Sequence, residues 1–164
     1  MCERAEGDGL KLLVFSDSHG NVANMADMVR LERPDHILHL GDLVRDAEEL
    51  SRQCPHIPLT YVPGNCDGRR PDLPEERVFE LDGVRLLMTH GHIYQVKMGR
   101  GAAVRAAREA GAGILLFGHT HEACCEYERG LWIVNPGSAG SLVRPTYAVV
   151  ILEDGGSVCY LSDI

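Results

Sequence analysis

The sequence predicts an α/β protein: two mixed β-sheets packed face to face as a sandwich, with helices flanking them. Three observations predict this. Apolar strand-like runs alternate with helical periodicity through the first half of the chain. From about residue 77 onward, short strands follow one another through tight turns. Clusters of polar residues recur just beyond the apolar runs, where the strands of an α/β sheet present their carboxyl ends.

The elements follow in order. Leu10-Lys11-Leu12-Leu13-Val14-Phe15 reads as a buried strand. Asn21 is placed to cap a helix over Val22 to Glu32, whose apolar positions are Met25, Met28, Val29 and Leu31. Pro34 ends that helix. A strand from His36 to Leu40, a short helix from Val44 to Cys54 stopped by Pro55, and a strand from Leu59 to Val62 come next, and Asp67 to Glu76 reads as an exposed loop. Arg77 to Leu81 and Val84 to Thr89 form a hairpin through Asp82-Gly83. Ala102 to Ala110 is an alanine-rich helix with Gly111 at its stop. The remaining strands are Ile114 to Phe117, Ala123 to Tyr127, Leu131 to Val134, Tyr147 to Leu152 and Val158 to Leu161, with turns at Arg129-Gly130 and Asp154-Gly155-Gly156.

The 164 residues suit one domain, 1–164, in which the polar residues 1–9 are expected to be a flexible N-terminal segment. A net charge of −8 argues against a broad surface for nucleic acid or an anionic membrane, yet leaves room for anionic substrates at a metal-bearing cleft. The start of the chain lacks an apolar signal region, and no apolar run is long enough to cross a bilayer. Six cysteines occur without a CxxC pair, and adjacent Cys124 and Cys125 are poorly placed to bridge. Reduced thiols and a cytoplasmic location are expected.

Five clusters carry the chemistry: Asp17-Ser18-His19, Gly41-Asp42, Gly64-Asn65-Cys66-Asp67, His90-Gly91-His92 and Gly118-His119-Thr120-His121. Taken singly, each has a plain reading as a turn, a cap or a loop held by side-chain hydrogen bonds. Together they supply carboxylates, an amide and imidazoles in the mixture that holds two divalent ions close together. The pairs Asp17/His19 and His119/His121 are expected to leave one face of an extended chain, as residues two apart in a strand do.

In this order, Asp-x-His, Gly-Asp, Gly-Asn-x-Asp, His and Gly-His-x-His resemble the calcineurin-like metallophosphoesterase superfamily. Gly-Asn-Cys-Asp, Thr-His-Gly-His and Asn135-Pro136-Gly137-Ser138 resemble its small phosphodiesterase branch. The resemblance spans about Leu12 to Ser138 and implies the four-layer αββα metallophosphoesterase fold. It implies that Asp17, His19, Asp42 and His121 hold one metal, and that Asp42, Asn65, His90 and His119 hold a second, with Asp42 shared. It further implies Mn²⁺ as the metal, with Fe, Ni²⁺, Co²⁺, Zn²⁺ or Mg²⁺ as substitutes. The activity implied is hydrolysis of a small phosphodiester or nucleotide-like substrate by a hydroxide that bridges the metals. Two ions bring four positive charges, and Asp17, Asp42 and that hydroxide cancel three. A cationic remainder suits a phosphodiester monoanion.

Cys66 stands where the larger phosphoprotein phosphatases carry a histidine proposed as general acid, so another donor is needed. His92 is the candidate, making Asp42, Asn65 and His92 the catalytic set; the alternative for His92 is a packed histidine that supports a ligand. Asp67 has two readings, orienting a ligand imidazole or capping its loop. His39 is read as structural, and Asn135 to Ser138 as backbone support for the site. Two other functions remain open: a phosphomonoesterase, or a non-catalytic interaction scaffold like the small retromer subunit, which shares the fold with an altered metal site. Oligomeric state is open.

Overall fold

A computed structural model describes residues 9–164. The expected flexible segment and Cys2 therefore lie, apart from Gly9, outside the described residues. Two mixed sheets of five strands form the centre of the fold. The first contains β1 (Leu10–Phe15), β2 (His36–His39), β3 (Leu59–Tyr61), β9 (Thr146–Glu153) and β10 (Gly156–Asp163), in the order β10-β9-β1-β2-β3. The second contains β4 (Glu76–Leu81), β5 (Val84–Thr89), β6 (Ile114–Leu116), β7 (Cys124–Glu128) and β8 (Leu131–Asn135), in the order β4-β5-β6-β8-β7. Helices α1 (Val22–Glu32) and α2 (Val44–Gln53) lie on the first sheet, and α3 (Gly101–Glu109) lies on the second. Among the described residues no helix is long and apolar enough to cross a membrane.

The continuous apolar runs are explained by burial on both faces of each sheet. Leu12 and Val14 join Leu86, Met88, Ile114 and Leu116 between the sheets. The alternate residues Leu13 and Phe15 pack under α1 and α2 with Met25, Val29 and Leu50. Leu87, Leu115 and Ile133 meet Ala103 and Ala107 of α3. One strand period therefore feeds two cores. Asn21 caps α1, its side-chain oxygen accepting from the Asn24 N–H at 3.0 Å. The turns Asp82-Gly83, Arg129-Gly130 and Asp154-Gly155 have positive φ at both residues, the type I′ geometry that matches strand twist.

All the expected strands and helices are present, with their ends shifted by at most two residues. Three 3-10 turns were not anticipated: Asn65–Asp67, His92–Tyr94 and Val96–Met98. The first two follow the ends of β3 and β5 on the rim, and Val96–Met98 continues from the second toward α3.

β1, β2 and β3 run parallel, as do β5, β6 and β8. The sandwich brings their carboxyl ends to one rim, and buried polar side chains fix the loops there. His39, at the end of β2, accepts the Gly41 N–H at Nδ1 (3.1 Å). Its proton therefore resides on Nε2, which donates to Ser18 Oγ at 2.9 Å. Ser18 in turn donates to Asp46 Oδ2 at 2.7 Å, and that oxygen also accepts the Gly20 N–H. This chain of contacts ties the loop after β1 to the loop after β2 and to the first turn of α2. Asp67 does the same for β3. It accepts the N–H groups of Asp42 (3.0 Å), Val44 (2.7 Å) and Gly64 (2.8 Å). Of its two readings the structure shows the cap, extended across two loops.

Burial pushes His39 down from 6.5 to about 4, so it is neutral in the fold. Between those values the unfolded chain binds a proton that the folded chain refuses, and stability falls as pH falls. From pH 7 to pH 4 this one group removes about 3 kcal/mol. Urea unfolding across that range should show wild type losing its advantage over His39→Gln as the solution is acidified. A constant difference would place the charged form in the fold.

Candidate metal centre

Five of the seven expected ligands have left-handed backbone: Asp17 (φ 53°), His19 (43°), Asp42 (52°), His119 (71°) and His121 (62°). The pairs two apart were expected on extended chain, and the structure corrects this. Each member sits on its own left-handed kink; the kinks return Asp17 and His19 to one point but send His119 and His121 to different ligand sets. For non-glycine residues such conformations cost about 1–3 kcal/mol each, and they persist only where surrounding bonds over-determine them. Those bonds are present here. Asp17 N–H donates to Gly41 O, His19 N–H to Asp42 O, and Gly118 N–H to His90 O. From below, Ser138 Oγ donates to Asp17 O at 2.7 Å, and Asn135 Nδ2 donates to Gly118 O and to Thr120 Oγ1.

Two glycines set how closely the loops approach. Gly41 has φ 97°, and a Cβ there would lie 2.4 Å from Gly64 N. A Cβ on Gly64 would lie 2.0 Å from Asp42 Oδ1. The loops after β2 and β3 therefore touch backbone to backbone.

The two aspartates divide their oxygens in the same way. Asp17 Oδ2 accepts from Ser16 Oγ (2.5 Å) and His119 N–H (3.1 Å), while Asp17 Oδ1 is buried and has no hydrogen-bond partner. It lies 3.0 Å from His121 Nε2, outside hydrogen-bonding geometry, 3.6 Å from His19 Nε2 and 3.9 Å from His90 Nε2. Asp42 Oδ1 accepts the Cys66 N–H at 2.9 Å, while Oδ2 faces His90 Nε2 at 3.4 Å. Each carboxylate is anchored by one oxygen and directs the other into the gap.

His90 is oriented by its other nitrogen. Nδ1–H donates to the Leu40 carbonyl at 2.8 Å, so Nε2 of the neutral ring is a lone pair. That lone pair faces Asn65 Oδ1 (3.0 Å), His119 Nδ1 (3.2 Å) and Asp42 Oδ2. The two oxygens and the Nε2 lone pair repel one another unless a cation or a donated proton stands among them. The electrostatics agree. Burial pushes the His90 pKa down, but the Asp42 and Asp17 carboxylates outweigh it and leave it raised. Burial also opposes ionisation of Asp42, and the His90 imidazole and Cys66 N–H reverse that, holding its carboxyl well below the usual range. His119 is lowered by burial and by the neighbouring His90 and Lys97. Positive charge is thus favoured between His90 and the Asp42 carboxylate and disfavoured on His119 itself.

Two sets of ligand atoms each lie within 4.8 Å of one another: Asp17, His19 and His121, and Asp42, His90 and His119. The first opens to solvent through His19 and His121, and the second is more deeply buried. Asn65 joins the second through His90. Asp42, implied by the resemblance to serve both ions, falls with the second set, and the 3.9 Å approach of His90 Nε2 to Asp17 Oδ1 brings the two sets together. The donor set and the orphaned Asp17 oxygen fit a pair of divalent cations.

His92 lies beside this centre, its ring centroid 5.5 Å from that of His90 and 6.3 Å from that of His119. Its Nδ1 is buried without a partner, and its Nε2 is 3.7 Å from Glu75. Cys66 is exposed; partial desolvation and the Asp42 carboxylate push its thiol up, keeping it protonated. Arg70 pairs with Asp72 and Glu48 rather than turning to the centre. Sequence reasoning missed Ser18 and Asp46. The available signal was Asp46 itself, an acidic residue beside Val44, Ala47 and Leu50 on the buried face of α2.

Comparison with known proteins gives this arrangement a family. Residues 10–155 match the calcineurin-like phosphoesterase superfamily domain. The "Probable metallophosphoesterase YsnB" of Bacillus subtilis is 32% identical over 160 residues, covering 94% of this chain and 91% of that protein. A phosphodiesterase of Methanocaldococcus jannaschii is 27% identical, covering 88% and 93%. The crystal structure of a "predicted phosphoesterase" from Streptococcus pneumoniae aligns with a TM-score of 0.74 at 25% identity, over 96% of this chain and all of that one. This chain belongs to the calcineurin-like phosphoesterase superfamily, and its two mixed sheets with flanking helices are that family's fold.

Proposed function

We propose that the protein hydrolyses phosphodiesters at a two-metal centre. Asp17, His19, Asp42 and His121 would hold one ion and Asp42, Asn65, His90 and His119 the other, with Asp42 serving both. Mn²⁺ is the proposed metal, and Fe, Ni²⁺, Co²⁺, Zn²⁺ or Mg²⁺ are its substitutes. The observation that carries this reading is the buried Asp17 Oδ1, left without a hydrogen bond while three imidazole Nε2 atoms face it within 3.9 Å. An unpaired buried carboxylate oxygen is costly unless a cation answers it.

When bound, a divalent pair makes water a nucleophile at neutral pH and draws charge from phosphoryl oxygens. The chain's own residues set the sign and direction of the chemistry. Only Asp17 and Asp42 among the proposed ligands are anionic; Asn65 and the four histidines are neutral, so the loaded centre stays cationic and attracts a diester monoanion. The bonds from Ser16, His119 and Cys66 hold the carboxylates in place, so little reorganisation is needed as charge grows on the phosphoryl oxygens. With the Cys66 thiol pushed up and exposed, His92 is the proposed donor to the leaving oxygen. Its unpartnered Nδ1 and its neighbour Glu75 support that role. The substrate proposed is a small phosphodiester of nucleotide-like character, met in the cytoplasm, where free thiols such as Cys54, Cys66 and Cys159 persist.

Three measurements test this. Metal-stripped protein given back Mn²⁺ should cleave a chromogenic diester faster than the matching monoester. Preference for the monoester would make it a phosphomonoesterase, and cleavage of neither would leave a non-catalytic scaffold. Asp42→Asn should lower metal content below two ions per chain and abolish turnover; a near-normal rate with both ions retained rejects the shared carboxylate. His92→Ala should slow diesters with alkyl leaving groups far more than nitrophenyl diesters. Equal slowing of both removes His92 as proton donor.

A further inference from the structure

Four strands lie at the edges of the two sheets: β10 and β3 in the first, β4 and β7 in the second. An edge strand presents unpaired N–H and C=O groups, and folds guard such edges with charge, proline, a bulge or shortness. Three of these edges are guarded. β3 is three residues long, β4 carries Glu76, Arg77 and Glu80, and β7 carries Glu126 and Glu128. β10 is open. Its eight residues hold no proline and no charge before Asp163 at the last position, and their register with β9 runs from end to end without a bulge.

The turn that leads into β10 sets the direction of its backbone. Asp154-Gly155 is a two-residue turn, so Glu153 and Gly156 exchange hydrogen bonds across it. From there Val158, Tyr160 and Ser162 turn their N–H and C=O groups to β9, while Ser157, Cys159 and Leu161 turn theirs away. Trp132 Nε1–H agrees with the outward set, donating to Ser157 O at 3.2 Å. Among the described residues no hydrogen bond reaches the outward backbone of Cys159 or Leu161. Side chains alternate along the same strand. Cys159 is buried between the sheets, whereas Val158 and Tyr160 stand on the outer face beyond the cluster under α1, 56% and 43% exposed.

A row of alternating donors and acceptors is answered by a second extended chain, and β10 is complementary to itself. Two copies paired antiparallel about Cys159 would set Ser157 opposite Leu161 and Val158 opposite Tyr160, each contact made twice. A β-branched residue against an aromatic one is a favoured cross-strand pair. Asp163, already joined to Arg144, would fall opposite Gly155, so no carboxylate side chain meets another directly across the axis. Asp163 and His121 line one hollow, which puts the carboxyl end of β10 on the rim of the proposed metal centre. Antiparallel pairing therefore sends the two rims to opposite ends of the dimer and covers neither.

We propose that the free edge of β10 pairs with the same edge of a second copy of this chain, joining their first sheets into one continuous sheet about a two-fold axis at Cys159. The assembly is independent of the hydrolytic reading above.

The test is sedimentation equilibrium on the full chain. The mass of wild type should rise toward twice that of the monomer between about 1 and 200 μM, the range suited to a small strand-to-strand contact. Val158→Glu and Tyr160→Lys should each weaken association by about tenfold or more, because each faces an uncharged partner across the axis. The double variant Val158→Glu/Tyr160→Lys should return to within about threefold of wild type, since the new charges then oppose each other in both contacts. At high dilution all three variants should melt with the wild-type monomer, which separates lost pairing from lost folding. Amide exchange of wild type needs no substitution: the Cys159 and Leu161 N–H groups should slow as concentration rises. A monomer throughout, a dimer that neither single substitution weakens, or a double variant weaker than either single one overturns the proposal. So do amides whose exchange ignores concentration; protected in a monomer at every dilution, they would assign the edge to another segment of the same chain.

Discussion

The site depends on a division of labour within two carboxylates. Asp17 and Asp42 each spend one oxygen on the fold, accepting hydrogens from Ser16, His119 and Cys66, and turn the other toward a cluster of imidazole nitrogens. A buried carboxylate oxygen left without a hydrogen bond is a poor way to stabilise a fold and a good way to bind a cation. The unfavourable part is confined to a few atoms on the rim, while the three apolar clusters beneath it supply the stability that tolerates it.

Strand polarity makes the convergence possible. Parallel β1, β2 and β3 in one sheet, and β5 and β6 in the other, end at one rim, so clusters separated by up to about a hundred residues meet there without long connections. The left-handed residues then bring side chains in from both sheets, over distances that extended chain would overshoot. His39, Ser18, Asp46 and Asp67 set those turns, although none of them belongs to either ligand set. Their role is to fix where the ligands stand, and supporting contacts of this kind govern metal affinity nearly as strongly as the ligands do.

Much of this was legible in the sequence, because the governing signals are local. Leu10–Phe15 and Val84–Thr89 are apolar runs bounded by turn residues, Val22–Glu32 has its capping Asn21 and helical spacing, and Asp82-Gly83 is a hairpin turn in two letters. The proposed ligands could be named because they recur at strand ends in a family's order. Their backbone could not, since left-handed φ at Asp17 is held by partners such as Gly41 and Ser138 that are distant in sequence. For the same reason Asp46 went unread, and His39, read as structural, had no partner to name. Only the fold places Ser18 between them.

The contact of Gly41 with Gly64 has a consequence for how the pocket meets its guest. With backbone against backbone there, no side chain cushions the gap between the loops that present Asp42 and Asn65, and neither loop can yield without carrying the other. The spacing of the donor atoms is thereby written into the main chain before any ion arrives. An ion held as proposed would meet ligands already spaced by the main chain, so the entropy of ordering the site would be lost during folding rather than during capture.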